Sequence, residues 1–146
     1  MRLIQLTNTN IGAVAAGNNV PLGRTTRLAD QRDGCCNAFS VTTSSADTIE
    51  ITKPGIYSVN FSGSLTAGAA GVLTLTLVGN GVDLYTVSQT VANTATANIH
   101  TEFDVRAIAN CAAAGGNIPY ALQLRLGGIA ITGGIGNTII TEEAAG

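Results

Sequence analysis

Hydrophobic and polar residues alternate with a period of two along much of this chain, the spacing of strands with one face buried. Residues 94–105, "TATANIHTEFDV", show it over the longest run. Ala95, Ala97, Ile99, Phe103 and Val105 fall on one side with Thr101 as the exception, and Thr94, Asn98, His100, Glu102 and Asp104 fall on the other. In 119–126, "PYALQLRL", Tyr120, Leu122, Leu124 and Leu126 share a face, and in 72–79 Leu73, Leu75 and Leu77 alternate with Thr74 and Thr76. The remaining candidate strands are 2–7, 11–16, 38–43, 47–52, 56–65, 82–89, 129–132 and 136–142. Asn80-Gly81 between two alternating runs predicts a tight hairpin, because both residues tolerate positive φ. "KPG" at 53–55 and "TGG" at 132–134 punctuate the chain further. The Ala-rich segment 107–116 has no cap and ends in Gly-Gly, so it is assigned to a loop. About ten short strands without a helix predict an all-β antiparallel sandwich or barrel.

One stretch stands apart. From Pro54 to Gly81 there is no charged residue; Lys53 precedes it and Asp83 is the first charge after it. Its polar positions hold only Ser, Thr and Asn. Across the whole chain charged residues make up 11%, less than half of the usual ~25%. Hydrophobic residues make up 45% of the 146 positions, enough for one folded domain. A surface so poor in charge predicts cover by other copies of the chain or by a larger assembly.

The net charge of −2 argues against nucleic acid, which requires a basic patch. No apolar run approaches the ~20 residues of a membrane span. The N-terminus resembles a signal peptide in its Arg2 and Ala-rich end, but Gln5, Thr7, Asn8, Thr9 and Asn10 interrupt the apolar centre, so it is read as mature sequence, folded where it is made. Charge concentrates once, at Arg24, Arg27, Asp30, Arg32 and Asp33, either a solvated loop or a docking segment for a partner. Cys35, Cys36 and Cys111 lack metal or redox spacing. They are either three thiols in a reducing compartment or one bridge from Cys35 or Cys36 to Cys111.

The residue types needed for catalysis are sparse. His100 is the sole histidine, no nucleophile elbow is present, and "GNGVDLY" lacks the Lys of a phosphate loop. Glu102 and Asp104 share one strand face about 6–7 Å apart, a spacing that could hold a metal with a third ligand or serve as acid and base, but that is more often a solvated strand face. The sequence therefore predicts no enzyme, no cofactor and no metal site.

Three motifs in order, "PGIYSVNFSGSL", "VLTLTLVGNGVDLYTVS" and "GGIGNTIITEE", resemble successive strands of the C1q/TNF-like domain in its bacterial and bacteriophage branch. The resemblance covers residues 38–143, and residues 1–37 resemble the leader of small phage structural proteins. It divides the chain into N-terminal strands with a charged docking segment (1–37) and the jelly roll (38–146), in one globular domain. The chain departs from collagenous relatives in having no Gly-X-Y stalk, and its loop 106–118, with Cys111, is long.

The resemblance implies a ten-stranded jelly roll of two antiparallel sheets, assembled as a homotrimer that binds rather than catalyses. Tyr57, Val59 and Phe61 would then face the core, while Ser58, Asn60, Ser62, Asn98, His100 and Glu102 would face neighbouring subunits. His100 near a threefold axis would form an anion or metal site, a pH switch, or a hydrogen-bonded interface contact. The function implied is that of a virion protein made in the host cytoplasm: a trimeric head decoration (cement or fibre) protein on the capsid exterior of a tailed phage. Its partners would be itself and the major capsid protein or another virion protein, docked through Arg24, Arg27, Asp30, Arg32 and Asp33. The alternative is a receptor-binding knob of a tail fibre or baseplate. A secreted ligand or spore-surface domain is disfavoured by the absence of a stalk and signal.

Overall fold

The computed structural model describes residues 2–29, 39–41, 47–107 and 119–145. They form two antiparallel sheets of five strands each, with no helix among the described residues. The first sheet has β1 (Leu3–Asn8), β2 (Arg24–Ala29), β5 (Gly55–Ala67), β8 (Thr96–Ala107) and β10 (Ile131–Ala145) in the order β2-β1-β10-β5-β8. The second has β3 (Phe39–Val41), β4 (Ile49–Ile51), β6 (Gly71–Gly79), β7 (Val82–Val91) and β9 (Tyr120–Gly127) in the order β3-β4-β9-β6-β7.

The alternation in the sequence becomes the core between the sheets. In β8 exposed and buried residues alternate without a break from Thr96 to Ala107. Thr101, the polar residue on the apolar side, is buried with that side. Tyr57, Val59, Phe61 and Leu65 of β5 face Leu73, Leu75 and Leu77 of β6 and Leu122, Leu124 and Leu126 of β9 in one cluster. Two aromatic pairs join the sheets, from the opposite edges β3 and β7 of the second sheet to the neighbouring strands β5 and β8 of the first. Phe39 of β3 meets Tyr57 edge-on at 5.8 Å between ring centres, and Tyr85 of β7 stacks on Phe103 of β8 at 4.8 Å. Such pairs add about 0.5–1.5 kcal/mol to the burial of their area. The hairpin between β6 and β7 turns on Asn80 and Gly81, both with positive φ.

Three elements differ from the sequence reading. Residues 11–16 do not form a strand. The β1–β2 connection instead crosses the sandwich, with an isolated bridge from Val14 to Ile131 and another from Asn19 to Arg125. Val20 N–H donates to the Leu124 carbonyl at 2.7 Å, extending the sheet where the short β4 ends. Ile11, Val14, Val20 and Leu22 are buried along this crossing, so their spacing follows the crossing and not a strand period. Conversely, residues 24–29 of the charged segment form β2, an edge strand exposed on both faces. Candidates 129–132 and 136–142 join into the single long strand β10. The loop assigned to 107–116 lies almost wholly outside the described residues. β1 sits between β10 and β2 with Ile4 and Leu6 in the core, so residues 3–8 are part of the sandwich.

One polar side chain in the core is costly. Thr138 of β10 is 2% exposed, and its Oγ1 has no hydrogen-bond partner among the described residues. It borders a small void lined by Leu22, Ile49, Val59, Leu77 and Leu122. A buried hydroxyl without a partner costs about 1–3 kcal/mol. Thr138→Val keeps the shape and removes that cost, so it should raise stability by about 1 kcal/mol or more. A urea midpoint below that of the parent chain would contradict this.

Candidate assembly face

The outer face of the β2-β1-β10-β5-β8 sheet is built from the polar halves of its alternating strands. β5 contributes Ser58, Asn60, Ser62 and Ser64, opposite Asp104, Glu102, His100 and Asn98 of β8. β10 contributes Ile135, Asn137, Ile139 and Thr141, opposite Ser64, Ser62, Asn60 and Ser58. β1 adds Leu3, Gln5 and Thr7 opposite Thr141, Ile139 and Asn137. β2 closes the face with Ala29, Arg27 and Arg24 opposite Leu3, Gln5 and Thr7.

The polar groups on this face are hydrogen-bonded to one another, mostly across strands. Ser62 Oγ and His100 Nδ1 lie 2.7 Å apart, with the donor set by the imidazole tautomer. Ser64 Oγ donates to Asn98 Oδ1 at 2.6 Å, and Ser58 Oγ to Glu102 Oε1 at 3.1 Å. Asn60 Nδ2 donates to Ser58 Oγ at 3.3 Å. Gln5 Nε2 and Thr7 Oγ1 both donate to Asn137 Oδ1, at 3.0 and 3.2 Å. A face whose polar atoms are already paired can be covered at a lower desolvation cost than one of solvated charges. Apolar side chains lie among them: Ile139 and Leu3 are half-buried, and Ile135 is 54% exposed. A polar surface without charge at its centre, interleaved with half-buried and exposed aliphatics, suits an interface better than open water.

A groove of about 470 Å³ crosses one end of this face, between Ile135, Ser62, Ser64, Asn98 and His100 on one side and Thr7, Asn8 and Asn137 on the other. Its floor is thin because Gly63 and Gly136 are paired there with the Phe61 ring beneath both. A Cβ on Gly63 would stand 2.8 Å from Phe61 Cζ, and one on Gly136 would stand 3.1 Å from Cε2.

Charges on the face lie away from its centre. At the β8 side, Glu143 stands near Asp104 and Glu102. Desolvation, followed by the charge and hydrogen bonding of Asp104 and the charge of Glu102, holds the Glu143 carboxyl above its ordinary range. Arg106 lies further along the same side of β8. At the other edge are Arg24 and Arg27, both exposed. Among the described residues, ion pairs also lie off this face. Arg125 and Asp83, on the β9 and β7 strands of the other sheet, form a bidentate pair at 2.9 and 2.7 Å. Arg2 reaches Glu142 at 3.0 Å in a site where the carboxylate side chain is 2% exposed.

Of the residues singled out in the sequence, Ser58, Asn60, Ser62, Asn98, His100 and Glu102 stand together on this face. Ser58 is already 5% exposed in the single chain. Asp30, Arg32, Asp33, Cys35, Cys36 and Cys111 lie outside the described residues. Sequence reasoning missed Gln5, Thr7, Ser64, Ile135, Asn137 and Ile139. The alternation of β1 separated Gln5 and Thr7 from Ile4 and Leu6, but nothing local in the sequence set β1 beside β10. Among the described residues, no group of three or more His, Cys, Asp or Glu is placed to hold a metal ion. No helix among them is long and apolar enough to cross a membrane.

Sheet order and face together define the class: the chain has the jelly-roll fold of C1q and TNF-family domains. It is similar to the globular domain of zebrafish complement 1qA, with a TM-score of 0.69 and 10% identity over 100% of both chains. It is also similar to murine APRIL, with a TM-score of 0.65 and 9% identity over 96% of this chain and 98% of that one. The vertex protein P5 of PRD1 aligns over 97% of this chain and 96% of its own, with a TM-score of 0.58 and 16% identity. No protein-family model and no curated protein matches the sequence.

Proposed function

We propose that this chain is a structural protein of a virion: a homotrimer that decorates the outer capsid surface of a tailed phage. The observation that carries the reading is the outer face of the β2-β1-β10-β5-β8 sheet. It is polar, without charge at its centre, hydrogen-bonded within itself and studded with exposed aliphatics. Three such faces turned inward around a threefold axis would leave the loops and the second sheet outside. The likeness to a phage vertex protein over nearly the whole chain supports a place in a virion.

Decoration would add protein–protein interface between neighbouring capsomers and so hold the shell against internal pressure. A threefold knob fits shell positions of the same local symmetry. Docking onto the shell is assigned to the charged stretch after β2, at Asp30, Arg32 and Asp33. Arg24 and Arg27 of the same cluster stand on β2, at the edge of the assembly face itself. Removing residues 1–33 would delete β1 and its buried Ile4 and Leu6, which is a folding lesion. The informative variant is therefore Asp30→Ser with Arg32→Ser and Asp33→Ser, which should stay trimeric yet fail to sediment with undecorated heads.

The second reading is a receptor-binding knob, favoured by the likeness to a vertex protein of PRD1. Electron microscopy of particles labelled on this chain separates the two. Many copies spread over the head support decoration, and a few at a tail or single vertices support the knob.

A further inference from the structure

Among the described residues, the charges at the two edges of the assembly face are opposite in sign. The β2 edge presents Arg24 and Arg27 with no acidic residue on that strand. The β8 edge presents Glu102 and Asp104, joined by Glu143 from β10, with Arg106 at the end of the row. The strand registers arrange the face in level rows. One row runs Arg27, Gln5, Ile139, Asn60, Glu102; the next runs Arg24, Thr7, Asn137, Ser62, His100. A third runs Ala29, Leu3, Thr141, Ser58, Asp104.

Rotation about a threefold axis joins unlike edges: the left edge of each copy meets the right edge of the next. When the axis runs along the strands, rotation also keeps every row at its own height. Arg27 of one copy then arrives level with Glu102 of the next, and Asp104 lies one row away, about 6–7 Å along the strand. Arg24 arrives level with His100, one row on the other side of Glu102. An extended guanidinium spans one such row and binds carboxylates through two donors at once.

We propose that the occupant of the β8 edge is the β2 edge of a second copy, with Arg27 paired to Glu102 across each junction and Arg24 and Asp104 flanking the pair. This rests on the trimer reading and adds to it a direction, head to tail, and a register. The contact is self-limiting, since each copy has one basic and one acidic edge and three copies consume both. It also gives Glu102 two partners, Ser58 within the chain and Arg27 from its neighbour.

The test is sedimentation equilibrium of four proteins at low salt: the parent chain, Arg27→Glu, Glu102→Arg, and the two changes combined. Each single reversal sets like charges against each other at every junction. Each should raise the concentration for half-assembly by at least about tenfold, and that defect should shrink in 1 M salt. The combined variant restores opposite charges and should assemble like the parent. A parent chain that is monomeric overturns the trimer reading and this pairing with it. A trimeric parent with unaffected single variants overturns the pairing alone, as does a combined variant no better than the singles.

Discussion

Ile139→Lys should convert the proposed trimer into folded monomers. Ile139 lies on the central strand β10 with its side chain on the assembly face, between Gln5 of β1 and Asn60 of β5. Neither neighbour carries charge. Around a threefold axis three copies of the new ammonium would be desolvated together without a counter-ion. A buried charge left without a partner costs about 3–5 kcal/mol, and each 1.4 kcal/mol is about tenfold in an equilibrium constant. Dissociation should therefore be favoured by at least about a hundredfold. In the single chain the position is at the surface, so the strand content by circular dichroism should not change. Asn60→Lys is expected to act in the same direction but less strongly, because Glu102 stands directly opposite Asn60 on β8 and would partly answer the charge. Sedimentation velocity of both variants beside the parent chain checks the order, and a fully trimeric Ile139→Lys protein would remove this face from the interface.

Phe61→Ala should cost about 3–5 kcal/mol of folding stability. Phe61 is 2% exposed, and its ring supports the thin floor of the groove under Gly63 and Gly136. Its loss empties the core beneath the assembly face, where Gly63 and Gly136 are paired and carry no side chain to fill the space. A urea titration measures the loss, and a cost below about 1 kcal/mol would mean that the ring is not packed this way. A coupled variant makes the test sharper. Gly63→Ala alone brings a methyl against the ring and should destabilise; in the Phe61→Ala background that clash is gone, so its cost should fall. Additive costs would show that the ring and the glycine do not touch.

Most of the sandwich was legible in the chain because one face of each strand is buried. β8 and β9 follow their alternation residue by residue, and Asn80-Gly81 turns the hairpin its chemistry demands. What escaped was set by distant partners. β2 has no alternation because an edge strand exposed on both faces has no apolar side to show. Ile11 and Val14 are buried where the chain crosses the sandwich, and their spacing follows Gly134 and Ile131, far along the chain. The face itself was half legible. Ser58, Asn60 and Ser62 follow from β5 alone, whereas Gln5, Asn137 and Ile139 join them only through the pairing of β1 with β10.

The charge-free run from Pro54 to Gly81 divides the same way. Its first half is β5, on the assembly face. Its second half is β6, in the other sheet between β9 and β7, and assembly does not account for its polar side. There Thr76 is buried and bonded to Thr86 of β7 at 3.0 Å. A charge at that position would be buried within the single chain. One compositional signal thus has two physical causes, the proposed cover by other copies for β5 and cover by neighbouring strands for β6.

The most direct measurement is the native mass of the purified chain in solution, by light scattering behind a sizing column. Three times the chain mass of 14.7 kDa, unchanged on dilution through the micromolar range, is the expected result. A particle of one chain mass at every concentration would contradict the assembly face, and with it the edge pairing and the decoration role built upon it.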